Sequence, residues 1–134
     1  MPVKYHINEE NNFLYVKVVD SLDREDMISF EAKIIGDTRV RPGFTALFDA
    51  AAIRVDDIDQ NVANVLLDME RIYPERFKDA KRALLVSHNM GWDFITDFAK
   101  EADGNNLVFF SLDVALVWLG MKVEELPELQ VDDF

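Results

Sequence analysis

RPGFTALFDAAAIRVDD, residues 41–57, decides how the chain is read. It turns at Pro42-Gly43, runs through the short apolar stretch Phe44 to Phe48, and reaches a carboxylate at Asp49. A run of this length without clean alternation predicts an interior strand, covered on both faces. Asp57, with Gln60 three residues later, resembles a capping box and predicts that a helix follows. A covered strand leading into a helix is one unit of a parallel α/β sheet.

The same grammar repeats outward from this stretch. Upstream, Val3 to Ile7 and Leu14 to Val18 alternate with period two around the polar run Asn8–Asn12, which signals a hairpin. Ser21 or Asp23 caps a helix over about 24–35, with Met27, Phe30 and Ile34 at helical spacing and Gly36 as its stop. Downstream, Ile58, Val62, Val65, Leu66, Met69, Ile72 and Tyr73 make one stripe that Pro74 ends. Ala83 to Val86 and Leu107 to Phe110 read as further buried strands. Between them a helix is expected over about 91–102, and after them Ser111 caps a last helix that Gly120 stops. The order is β-β-α-β-α-β-α-β-α. It predicts a mixed five-stranded sheet, first strand antiparallel, with about four helices.

Composition bounds what such a domain does. A chain of 134 residues with 49% hydrophobic content fits a single domain, 1–134, ending in an acidic tail over 121–134. The formal net charge of −12 argues against nucleic acid and against an anionic membrane surface as partners. No apolar run is long enough for a membrane span, and the first twelve residues lack the apolar core of a signal peptide, so a cytoplasmic location is expected. Zero cysteines fits that compartment and excludes disulfides and thiolate chemistry. The basic stretch from Arg71 to Arg82 reads as a solvated turn.

The element order resembles the STAS or SpoIIAA-like fold. Three stretches carry a narrower likeness to small bacterial SpoIIAA-like, STAS/SEC14-type proteins: Val19–Asp23, Arg41–Asp49 and Phe110–Gly120. The resemblance implies a right-handed βα superhelix and a regulatory or ligand-binding role. In the anti-sigma-factor antagonists of that class, a serine at the start of the helix after the third strand is the phosphorylated switch. Here residues 50–60 read AAAIRVDDIDQ and contain no Ser, Thr or Tyr. A phosphoserine switch at this place is chemically excluded, and Asp57 is accounted for as a helix cap.

Parallel strands share a carboxyl end, and ligands favour the crevice along it. That rim collects Asp49, the segment Ser87-His88-Asn89, and Ser111. A serine, a histidine and an aspartate invite a hydrolase reading, but there is no Gly-x-Ser-x-Gly elbow, and Ser87 and His88 are adjacent, so their side chains diverge. Asp49 is expected instead to accept backbone N–H groups of its own loop or to pair with Arg54. With two histidines and no cysteine, neither a metal site nor a cofactor loop is spelled out. Trp92 and Trp118 flank the core stripes of their helices. Either they widen a buried face, or they belong to an apolar patch for a protein partner, a second copy of the chain, or a small apolar ligand. The expectation is a non-enzymatic interaction or regulatory module, with SEC14-type binding of a lipid or other apolar molecule as the alternative.

Overall fold

A computed structural model of the chain describes residues 3–53, 61–87, 105–126 and 132–133. Strands β1 (Val3–Asn8) and β2 (Phe13–Val18) form the hairpin, and helix α1 (Arg24–Ile35) leads to β3 (Thr45–Asp49). Helices α2 (Asn61–Ile72) and α3 (Pro74–Phe77) precede β4 (Lys81–Leu85). Strand β5 (Asn106–Phe109), helix α4 (Leu112–Leu119), a single 3-10 turn (Val123–Glu125) and a two-residue strand β6 (Asp132–Asp133) complete the described elements. The sheet order is β5-β4-β3-β2-β1-β6. Strands β2 to β5 run parallel, and β1 is antiparallel to both its neighbours. The expected mixed five-stranded sheet is present, and the acidic tail adds the short β6 along β1, with Asp133 opposite Lys4 in register. The helix expected over 91–102 and the cap expected at Asp57 lie outside the described residues.

Local signals set most of the boundaries. Asp23 accepts the N–H of Asp26 at 2.8 Å, and Asp26 accepts the N–H of Asp23 at 3.3 Å, a reciprocal cap that fixes the start of α1. Ser111 Oγ accepts the N–H of Val114 at 3.4 Å, and Gly120, at φ +74°, closes α4 in the left-handed conformation. Pro74 does end α2, but it also opens α3, because a proline at the first helical position gives up a hydrogen bond that position never makes.

Alternation sorts the strand residues onto two cores. Tyr5, Leu14, Val16, Ala46, Phe48 and Leu84 face α1 and α2, where Met27, Phe30, Ile34, Val65 and Leu67 meet them. Phe30 stands edge-on to Tyr5 at 5.5 Å and to Phe48 at 6.4 Å. Phe13, Tyr15, Leu47, Ala83 and Leu85 face the other way, under Ala115, Leu116 and Leu119 of α4. Both faces of β3 are therefore covered, as its unbroken apolar run requires.

One charged cluster lies inside the first core. Arg82 is 5% exposed, which corrects the expectation of a solvated basic turn: it shares the strand face of Leu84 rather than that of Ala83. Its Nε donates to Asn106 Oδ1 at 2.9 Å and its Nη2 to Glu70 Oε2 at 3.0 Å. Asn106 Nδ2 donates to the same Glu70 oxygen at 3.0 Å, and Glu31 of α1 stands 3.6 Å from Arg82 Nη1. The guanidinium also lies 4.8 Å from the centre of the Phe77 ring. One cation thus joins α1, α2, α3, β4 and β5. Removing it leaves two carboxylates without their counter-charge, so Arg82→Met should cost about 3–5 kcal/mol in urea unfolding. Adding Glu70→Leu should restore more than half of that loss, since an apolar pair tolerates burial where the carboxylate that Arg82 held does not. A single mutant as stable as the parent would contradict the coupling.

Candidate functional site

The parallel strands end in step. Lys17, Asp49, Leu85 and Phe109 occupy one row across β2 to β5. Just beyond that row the backbone continues the ladder, with the N–H of Ala50 donating to Leu85 O and that of Val86 to Phe109 O, both at 2.9 Å. Asp49, Ser87 and Ser111 therefore lie at the carboxyl ends of β3, β4 and β5, the rim where open α/β sheets bind ligands. His88 and Trp92 lie outside the described residues, as does Asp57.

Asp49 is committed on both oxygens. Its Oδ1 accepts the N–H of Ala51 at 3.1 Å, closing the turn that leaves β3. Its Oδ2 accepts the phenol of Tyr15 at 3.0 Å. Burial, then the Asp49 charge, then this hydrogen bond all hold the Tyr15 phenol well above its ordinary range, because each disfavours a second anion there. The arrangement orders the exit from β3, with one hydrogen bond on each Asp49 oxygen. Sequence reading placed Asp49 and missed Tyr15. The available signal was parity: Tyr15 sits beside Leu47, the middle of the buried strand, on the α4 face.

Ser111 is exposed, and its Oγ accepts the N–H of Val114 at the start of α4. Ser87 is half-buried, two residues past the end of β4. Among the described residues, no group of three or more His, Asp or Glu is arranged to hold a metal ion. No helix among them is long and apolar enough to cross a membrane.

Trp118 lies on the α4 side, half-buried, its ring 5.5 Å from that of Phe109, with Lys81 Nζ 5.3 Å from the indole centre. Beside it the helix turns apolar groups outward. Val117 is 79% exposed and Val114 56%, and Phe110 carries the same line back across the cap. Asp113 is the one charged residue in the helix. The wide buried face that would have absorbed Val117 is narrower than its sequence allowed: Ala115, Leu116 and Leu119 alone form the fully buried stripe.

This architecture is that of a SpoIIAA-like domain. An uncharacterized protein of the DUF3478 family from Shewanella loihica PV-4, described as having a SpoIIAA-like fold, superposes with a TM-score of 0.54 at 20% sequence identity. The match covers 87% of this chain and 93% of that one. No protein-family model matches the chain, and no curated protein matches it.

The Tyr15–Asp49 bond has a spectroscopic consequence. Tyr15 should resist ionisation in an alkaline absorbance titration of the folded protein, and Tyr15→Phe should remove that late step. Asp49→Asn should move it to lower pH by removing the adjacent charge, and should cost about 1–2 kcal/mol of stability. An unchanged titration in Asp49→Asn would contradict the assignment.

Proposed function

We propose that this protein is a non-enzymatic interaction or regulatory module of the STAS/SpoIIAA-like type, working without a phosphoserine switch after β3. The observation that carries the reading is the exposed apolar line of Phe110, just before the cap, with Val114 and Val117 on a helix of a single charge, in a chain of net charge −12. In a chain with 30% charged residues, an exposed apolar line beside a single aspartate stands out as a place to dock a protein. Valines and a phenylalanine at helical spacing suit helix-on-helix packing against a partner or a second copy.

The rim chemistry supports the same reading. Asp49 and Ser111 each accept a local backbone N–H, Asp49 also holds the Tyr15 phenol, and the segment after β3 offers no hydroxyl to modify. Signalling by this chain then works through occupancy of a surface rather than through phosphorylation at the position used by anti-sigma antagonists. The rival reading is SEC14-type binding of an apolar small molecule, supported by the half-buried Trp118 tilted against Phe109.

Native mass spectrometry of protein isolated from its own host separates the two. A second subunit or bound protein is expected, and Val117→Asp should weaken that association at least tenfold, about 1.4 kcal/mol, without changing the thermal midpoint by more than a few degrees. A purely monomeric, ligand-free protein would contradict the docking reading. An apolar small molecule retained equally by the parent and by Val117→Asp would replace it with the rival.

A further inference from the structure

Among the described residues, the buried cluster of α1, α2, β4 and β5 has one cation for two carboxylates. Arg82 Nη2 bonds Glu70 at 3.0 Å, but Arg82 Nη1 is 3.6 Å from Glu31 Oε1, beyond hydrogen-bonding distance. Neither that Glu31 oxygen nor Arg82 Nη1 has a hydrogen-bond partner. Glu31 is 2% exposed, whereas the Glu70 side chain is 23% exposed and sits near the C-terminal end of α2. The two acids are therefore unequal: Glu31 is fixed in the core, and Glu70 has a route to water.

The geometry points to a proton-linked latch, in which neutral Glu31 lets Arg82 and Asn106 hold Glu70 and so seat α2, while ionised Glu31 competes for Arg82 and loosens α2 from the sheet. Among the described residues, the groups facing Glu31 are Arg82 from β4 and Glu70 from α2, with Asn106 from β5 and the Phe77 ring of α3 beside them. Burial pushes the Glu31 carboxyl up to about 7, Arg82 lowers it and Glu70 raises it, which puts the change in the physiological range. The sign follows from linkage. A carboxyl whose folded-state value is raised contributes stability below its ordinary value, and that contribution is lost as pH rises through the folded value. Alkaline conditions thus favour lifting of α2, the helix into which the chain passes after Asp49 and the rim.

Hydrogen exchange resolved along the chain tests this in the intact protein. After correction for the intrinsic pH dependence of exchange, the opening constant for amides from Val65 to Arg71 should rise about tenfold between pH 6 and pH 8, as expected for a group titrating near 7 when closed and in its ordinary range when open. The dependence on denaturant should be shallower for these amides than for those of β3, marking a local opening. Glu31→Gln, which fixes the neutral form, should abolish the pH effect, and Glu70→Gln should flatten it by removing the competing acid. A Glu31→Gln protein that keeps the full pH dependence would overturn the latch. So would a carbon-13 titration placing the Glu31 carboxyl in the ordinary glutamate range.

Discussion

Everything in this molecule is arranged around a strand that has no water on either side. Ala46 and Leu47 of β3 are fully buried and point in opposite directions, so the sheet must be roofed twice. Helices α1 and α2 supply one roof and α4 the other. Strands β2 and β4 flank β3 in parallel, and a parallel neighbour is reached by a crossover, carried here by α1 and by α2 with α3. The alignment of strand ends, and with it the rim holding Asp49, Ser87 and Ser111, follows from the same requirement.

Signals contained within a few residues were legible in the sequence. The first helix was expected over 24–35 and occupies Arg24–Ile35, because its start and stop are settled locally by Asp23 and Gly36. Strand ends moved by a residue or two where charged groups sit on the ladder: Lys81 begins β4 and Asp49 ends β3, although both look like loop residues. The pairing of Thr45 with Lys81 and of Asp49 with Leu85 holds them there. The extra strand β6 had no sequence signal, because two aspartates have poor strand preference and are held by register against β1 alone.

The interior charges were the larger omission. Glu31 follows Met27 by four residues and precedes Ile34 by three, so it falls on the buried stripe of α1, and Arg82 precedes Leu84 by two. Periodicity marks both positions as internal. Residue type marks both as external, and residue type prevailed in the sequence reading. The resolution is pairing across elements far apart in the chain, which no local pattern reveals. The candidate site divides the same way. Asp49 was placed by the end of its strand, while Tyr15, its partner, lies 34 residues earlier and is joined to it only by sheet register.

The two margins of the sheet are finished differently. Along β1 the chain lays its own Asp132–Asp133 segment, so that margin is closed by an acidic stretch. At the other margin, among the described residues, the sheet ends at β5, and from Asn105 to Leu112 the chain carries no charge and no proline. Such a strand lacks the usual gatekeepers against joining a stranger's backbone. During synthesis or refolding at high concentration, before α4 has folded onto Phe109, this is the segment from which misassembly would start.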